Sequence, residues 1–432
     1  MMKNIGKVKV KLIAILMISI FMVNLVSIGH AEAASKYITI ESFAKALASE
    51  LNLSPNNGSE ENGYVNALLS NGIIKEGDVS SYTKYLTRTD ALVFINRADE
   101  FLNGNKLENG LVQTAIEKRI SDIAQIKESK REDVAKAYLK GFMKGYSNGK
   151  YAPNRQIKGA SKITKDGALN CIKMLKDKSL RAKISPDGQL IRTTNLPKNA
   201  KMYPYILESF PNEYYEYPFY YDNAIIYDEN NNIREKIRYE EYTTPKDVDK
   251  SISYIEDFPK IKKENIGRWV DKVEKHLHLI FNVNYKTINN QWVEDVLTTD
   301  SYYNVEMLED GTRAQLKKYA KGMKQNKTII ESKVIAIDNS SLYFFKGIYY
   351  LRAYVQYRVV SSSVPSTVSV DTIIDSHPYN NIIFSRKTVD LRGYNVGEWV
   401  GGIFDIALCE PIDTNGVDMG INYTTIRREV NK

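Results

Sequence analysis

Leu86-Thr87-Arg88-Thr89-Asp90-Ala91-Leu92-Val93-Phe94-Ile95 reads as the start of an amphipathic helix. Thr87 is a good N-cap, and Asp90 three residues on approximates a capping box in the first turn, where a carboxylate favours the positive end of the helix. Ala91, Ile95, Ala98 and Leu102 then recur at helical spacing. The pattern of an aliphatic residue, a threonine, a short polar stretch and a helical run occurs twice more. It appears at Ile38-Thr39-Ile40-Glu41-Ser42-Phe43-Ala44-Lys45-Ala46-Leu47, with Phe43, Leu47 and Leu51 as its stripe, and at Ile163-Thr164-Lys165-Asp166-Gly167-Ala168-Leu169-Asn170-Cys171-Ile172. A helix with one apolar stripe cannot bury it alone. Three such stripes facing inward predict an all-α three-helix bundle.

Shorter elements lie between these starts. Tyr64 to Gly72 reads as a helix closed by Asn71-Gly72, and Val134 to Lys144 as another. The second runs into Gly145-Tyr146-Ser147-Asn148-Gly149-Lys150-Tyr151-Ala152-Pro153-Asn154, which is dense in turn formers.

From Ile120 to Leu175 these parts follow one another in an order that resembles the S-layer homology (SLH) domain family. Ser121-Asp122 opens the segment, a helix around Tyr138 follows, then the Gly145 to Pro153 turn, and Ile163-Thr164-Lys165-Asp166 closes it. A second module around Gly63 to Leu102 keeps Gly72-Ile73-Ile74 and Thr87-Arg88-Thr89-Asp90, and a first keeps only the helix at Thr39. The departures are specific. The family's arginine is Ile40 in the first copy and Lys165 in the third, its acid is Ser42 and Gly167, and the second module lacks the glycine–tyrosine turn.

The resemblance implies a pseudo-trimeric bundle that binds secondary cell-wall polysaccharide, often through a pyruvate ketal. It carries the ligand role onto Arg88 first and Lys165 second, with their caps Thr87 and Thr164, and onto the turn residues Gly145, Tyr146, Asn148 and Tyr151. A ketal-linked pyruvate is a carboxylate. Arg offers it a bidentate fork, Lys a point charge, and the amides of a helix start a favourable dipole. Glycine lets a sugar approach the backbone, and tyrosine packs against its face. The plain alternative for Arg88 is a solvated first-turn side chain. Several weak grooves on one chain retain it better than one.

The location expected from the rest of the sequence agrees. Lys3, Lys7, Lys9 and Lys11 precede the apolar run Leu12 to Ile28, followed by the small residues Ala31 and Ala33. That order is a secretory signal cut after Ala33, and the run is short for a membrane span. A secreted wall protein of a Gram-positive bacterium, with no transmembrane anchor after cleavage, is the expectation. The net charge of +8 drops to +5 once the leader's four lysines and one glutamate are gone. That excess excludes a nucleic-acid footprint but suits a polyanionic wall polymer. Two cysteines, Cys171 and Cys409, do not make a disulfide scaffold. Cys171 falls on the helical stripe as a small core residue, and a bridge between the two would have to join different domains.

The domain layout read from the sequence is a signal over 1–33, SLH modules over 34–182 (37–55, 60–104 and 118–180), a polar linker over 183–201 with the turn Ser185-Pro186-Asp187-Gly188, and a tyrosine-rich domain over 202–432. In the last, Tyr203, Tyr205, Tyr214, Tyr215, Tyr217, Tyr220, Tyr221 and Tyr227 crowd together. They read as fillers of strands and interfaces in a Trp-poor protein, with a sugar-contacting surface as the alternative. Helices are expected at Gly267 to Phe281 and Gly311 to Asn326. Strands are expected at Thr328 to Ile337, Leu342 to Val360 with a Lys346-Gly347 turn, Ser366 to Ile374 and Ile382 to Asp390. Helices followed by an antiparallel meander predict α+β, with a helix-on-curved-sheet fold of cystatin or nuclear-transport-factor type by analogy.

Chemistry is sparse. His276 and His278 are two apart on a helix and cannot share a metal, and Asp375-Ser376-His377 reads as a strand-end turn. No phosphate loop or glycosidase carboxylate pair stands out. The expectation is a non-catalytic binding or structural domain with no cofactor or metal, carried on a wall anchor. A wall-anchored glycan or peptidoglycan hydrolase is the alternative.

Overall fold

A computed structural model of the chain describes residues 36–56, 60–219, 222–227, 233–239, 242–250, 255–300, 306–345, 347–364, 394–409 and 419–430. The expected signal, the cluster Asp375-Ser376-His377 and the strands expected at Ser366 to Ile374 and Ile382 to Asp390 lie outside the described residues. The chain divides into two compact units that interleave in sequence. The first takes the described residues up to Lys106 together with Ala124–Tyr138 and Ile157–Arg181. The second takes Leu107–Ile123, Leu139–Gln156 and the chain from Ala182 on.

Helices form at the three threonine caps and at the two segments expected between them, and a short one, Asn109–Thr114, forms where none was expected. They are α1 (Ile40–Glu50), α2 (Glu60–Ser70), α3 (Arg88–Asn103), α4 (Asn109–Thr114), α5 (Glu128–Leu139) and α6 (Lys165–Lys176). In the first unit the Oγ of Thr39, Thr87 and Thr164 accepts the amide of Ser42, Asp90 and Gly167 respectively, so each repeated threonine is a true N-cap. Each cap stabilises its helix by about 1 kcal/mol. The apolar stripes bury Phe43, Ala44 and Leu47 from α1, Ala91, Phe94, Ile95 and Ala98 from α3, and Ala168, Ile172 and Leu175 from α6. α6 lies against both α1 and α3. Leu102 departs from the expected stripe: it is exposed in the last turn of α3, as is Phe101 beside it. α5 starts and stops earlier than Val134 to Lys144; its early end is set by Gly141, which turns the backbone to φ +77°.

The three capping segments tie the first unit together. Tyr37 pairs with Thr164, Thr39 with Tyr85, and Thr87 with Lys162. The amides of Ile40 and Arg88, at the first helical positions, donate to Lys84 O at 3.0 Å and Ser161 O at 2.9 Å, and Lys165 N donates to Lys36 O at 3.0 Å. First pairs with second, second with third and third with first, so the helix starts form a closed backbone ring. Lys162 Nζ sits 4.4 Å from the centre of the Tyr85 ring and 5.6 Å from that of Tyr37.

The second unit is α+β. Its strands are β1 (Tyr146–Ser147), β2 (Arg155–Gln156), β3 (Asp222–Tyr227), β4 (Ile233–Tyr239), β5 (Tyr242–Thr243), β6 (Val283–Asn284), β7 (Ile329–Ile337), β8 (Tyr343–Phe345), β9 (Ile348–Ser361), β10 (Val400–Cys409) and β11 (Gly420–Val430). Among them run α7 (Asn212–Glu216), α8 (Phe258–Phe281), α9 (Asn290–Leu297) and α10 (Glu306–Gln325). The main sheet is antiparallel in the order β11-β10-β9-β7-β6, with β8 on β9 and β5 on β8; β1–β2 and β3–β4 are separate hairpins. The expected alternation of β9 holds in register, but both of its faces are covered. Leu351, Ala353, Val355, Tyr357 and Val359 pack with Trp269, Val273, Leu277, Trp292 and Tyr319 of the helices. Tyr350 and Tyr354 face a second core made by Tyr203, Leu207, Phe210, Tyr214, Tyr215 and Phe219. Tyrosines at 203, 214 and 215 are therefore core, not a sugar-contacting surface.

Arg352, on that second face, is 1 % exposed. Its Nε and Nη2 meet the two oxygens of Asp405 at 2.8 and 3.0 Å, and its remaining N–H groups reach the carbonyls of Tyr214, Tyr217 and Pro218 at 3.2, 2.8 and 3.1 Å. All five guanidinium donors are used, and the tyrosine-rich segment is pinned to the sheet.

Boundaries in the second unit also differ from expectation, and α10 starts at Glu306, five residues before Gly311. α8 begins at Phe258, nine residues before Gly267. The glycine costs about 1 kcal/mol inside a helix, and stacking of Phe258 on Tyr349 at 4.5 Å offsets it. Residues 183–201, read as a linker, are built into the second unit: Gln189 is buried, its Nε2 reaches Ile337 O at 3.2 Å, and Ile191 bridges Leu207.

Candidate functional site

The residues singled out by sequence fall into two groups, one in each unit. Thr87, Arg88, Thr164 and Lys165 belong to the first unit; Gly145, Tyr146, Asn148 and Tyr151 belong to the second.

In the first unit Thr87 Oγ1 both accepts Asp90 N at 3.1 Å and donates to Asp90 Oδ2 at 2.6 Å. Asp90 is buried, and its other oxygen takes Lys130 Nζ at 2.6 Å, which also donates to Asp78 O at 2.7 Å. The cap is thus locked from α5. Arg88 is half-buried, and its Nε donates to Ile157 O at 2.7 Å. It is not the loosely solvated first-turn residue of the plain reading. Lys165, its counterpart on α6, is exposed. The loop before it approaches closely: a Cβ on Gly159 would sit 2.3 Å from Thr89 Oγ1, and Gly159 O accepts Thr89 N at 3.0 Å.

One expectation is corrected here. The helix starts do not present a set of amides to an anion, because those of Arg88, Thr89 and Asp90 on α3 and those of Lys165 and Gly167 on α6 are bonded to neighbouring carbonyls and to the capping threonines. What these starts offer a ligand is side-chain charge and the helix field, not an amide cradle.

Cys171 is buried on α6 and Cys409 is half-buried, and the two are not joined in a disulfide. Burial pushes the Cys171 thiol up to about 11, and the charge of Arg88 pulls the other way. Iodoacetamide at about pH 8 is therefore expected to leave Cys171 unmodified in the folded chain and to alkylate it in urea. Peptide mass mapping reads the outcome, and rapid native labelling would contradict the burial.

In the second unit the turn is a hairpin, with Tyr146 opposite Gln156 and Ser147 opposite Arg155. Gly145 takes φ +67°, and a Cβ there would lie 3.0 Å from Gln156 O, so both conformation and space require glycine. Asn148 is engaged in closing the hairpin: its Nδ2 donates to Asn154 Oδ1 at 2.9 Å, and its Oδ1 accepts Gln156 Nε2 at 2.8 Å. Tyr146 is 46 % exposed and presents its ring to solvent. Tyr151 does not: its ring lies edge-on to Tyr354 at 5.1 Å, against the second core.

Sequence reading missed Arg155. Its Nε and Nη2 clamp the carbonyls of Lys144 and Gly145 at 2.6 and 3.2 Å, and Glu208 lies 3.4 Å from its Nη1. The only signal was a basic residue directly after the turn. It also missed the ion network of Arg97, whose guanidinium meets Asp78 at 2.5 Å and Asp133 at 2.9 Å.

Residues 119–161 match the family of the S-layer homology domain. No curated protein and no solved structure matches the chain. Domains of this family bind secondary cell-wall polysaccharide, and the match associates the protein with the cell surface. No helix among the described residues is long and apolar enough to cross a membrane.

Proposed function

We propose that the protein is a secreted Gram-positive surface protein, held non-covalently on secondary cell-wall polysaccharide through its SLH modules, with Arg88 the principal and Lys165 the second ligand-binding residue. The observation that carries this reading is the family match over residues 119–161, next to a ring of three threonine-capped helix starts of which two carry a cation at the first helical position. A half-buried arginine anchored through Nε is preorganised for a carboxylate, such as a pyruvate ketal. The first copy carries Ile40 at that position, which supplies no charge. We read the helix-on-curved-sheet part of the second unit as a non-catalytic binding or structural domain. Its likeness to cystatin and nuclear-transport-factor folds rests on layer order alone, and a wall-glycan hydrolase is the second reading.

The test is co-sedimentation of the chain from Ala34 onward with purified sacculi, before and after chemical removal of the secondary polysaccharide. The whole chain is needed because the units interleave, and a cut near residue 185 would divide the second unit. Binding is expected to disappear with the polysaccharide. It should weaken about tenfold or more in Arg88→Ala, the loss of one charge-assisted pair, and less in Lys165→Ala. Binding indifferent to the polysaccharide and to both substitutions would overturn the anchoring reading. Turnover of wall material abolished by a single Asp or Glu substitution would favour the hydrolase.

A further inference from the structure

A second feature of the first unit is a cleft of about 400 Å³ between α3 and α5, floored by the Asn71-Gly72 turn that ends α2. Its walls follow from helical spacing. Arg97, Glu100 and Phe101 on α3, and Ser129, Glu132, Asp133 and Lys136 on α5, lie three and four residues apart and so share one face of each helix. The cleft begins nine residues beyond Arg88, roughly 13–20 Å along the axis of α3, so it is not the site proposed above.

Three properties narrow what the cleft takes. Its charge is balanced: Lys75, Arg97 and Lys136 face Glu100, Glu132 and Asp133. The charges are paired, Arg97 to Asp133 at 2.9 Å and Lys136 to Glu100 at 3.4 Å between the two helices and Lys136 to Glu132 at 2.7 Å along α5, so the polar groups are already oriented. Phe101, 48 % exposed, offers an aromatic ring at the rim. An anion would meet three carboxylates and a cation three bases, while an apolar peptide would find little apolar wall. A neutral sugar fits. Its hydroxyls bond to fixed carboxylate and guanidinium groups, and its C–H face lies on phenylalanine. The volume, at the lower end of the roughly 300–1,000 Å³ of small-ligand sites, holds one or two rings.

We propose that this cleft is a binding subsite for a neutral saccharide, one or two rings long, stacked on Phe101 and hydrogen-bonded by Glu132 and Asp133. The proposal stands on residues other than Arg88 and Lys165 and does not require the anchoring reading.

The experiment is isothermal titration and saturation-transfer NMR of the chain from Ala34 onward. The probes are the neutral disaccharides N,N′-diacetylchitobiose and cellobiose, with digalacturonic acid as the anionic comparison. At least one neutral disaccharide is expected to bind with a millimolar Kd. Phe101→Ala should weaken it about tenfold, Glu132→Gln should weaken it less, and Arg88→Ala should leave it unchanged. Both cleft substitutions alter exposed side chains, so an unchanged thermal midpoint confirms that the fold is intact. The proposal is overturned by any of three results: no neutral disaccharide binding, binding that survives both Phe101→Ala and Glu132→Gln, or tighter binding of the digalacturonate. Sacculus binding of the same variants reports the Arg88 site separately, so failure of one reading is distinguishable from failure of the other.

Discussion

Replacing Arg352 with methionine is expected to destabilise the second unit by about 3–5 kcal/mol, the cost of leaving a buried charge without its partner. Asp405 is fully buried and would lose both guanidinium bonds, while the hydroxyl of Tyr343 at 2.9 Å does not neutralise its charge. The carbonyls of Tyr214, Tyr217 and Pro218 would lose the N–H groups that hold them. Asp405→Leu alone should cost a similar amount by stranding the guanidinium. The double variant Arg352→Met/Asp405→Leu should recover much of the loss, because two apolar side chains of suitable size remove both desolvation penalties. Urea unfolding followed by near-ultraviolet circular dichroism reads this out, since the tyrosines of the second core lie around the pair. A single-variant loss under about 1 kcal/mol would mean that water reaches the pair and that the tyrosine-rich segment is held by packing alone.

The second large effect is one of pH. Asp338 is fully buried, and burial pushes its carboxyl up to about 7, with the charge of Asp187 adding to the rise; bonds from the Ser340 amide and hydroxyl and from Tyr215 act against it. Tyr214 and Tyr205 face the same group and have their own ionisation pushed up, mainly by burial. The folded chain therefore retains a proton that the unfolded chain releases above its ordinary value of 3.8. Between those two values the folded state binds more protons. Stability from this group is full at low pH, falls by about 1.4 kcal/mol per pH unit as pH rises through the window, and is flat above about 7. Asp338→Asn keeps the shape and removes the titration. The stability of the variant relative to the parent should rise with pH from about 4 to 7, as measured by urea unfolding at several pH values. A difference independent of pH would show that Asp338 is ionised in the folded chain throughout.

Much of the first unit was legible in its local chemistry. A threonine before a polar turn and an apolar stripe is a cap wherever it occurs, because the hydroxyl answers an amide of its own helix. Thr39, Thr87 and Thr164 accordingly all cap as expected. The Gly145 turn was legible for the same reason, since only glycine accepts both its φ and its close carbonyl. Strands β7, β8 and β9 followed from alternation.

Other features depend on groups distant in sequence. That Arg88 is fixed by Ile157 O, 69 residues on, has no local signature. Neither does the consumption of the helix-start amides by the capping segments of the other repeats. The cleft arises because Arg97 and Asp133, 36 residues apart, meet across two helices. β9 shows why pattern alone misleads. Its Tyr350-Arg352-Tyr354 face reads as polar, yet it is buried, because Asp405 on β10 and three carbonyls of a remote segment satisfy every donor of Arg352. Period and capping are properties of a few consecutive residues, so the order of residues alone sets the helices, turns and strands. Whether a charge is solvated, paired or placed to meet a ligand depends on what the fold brings beside it, and that is decided only in three dimensions.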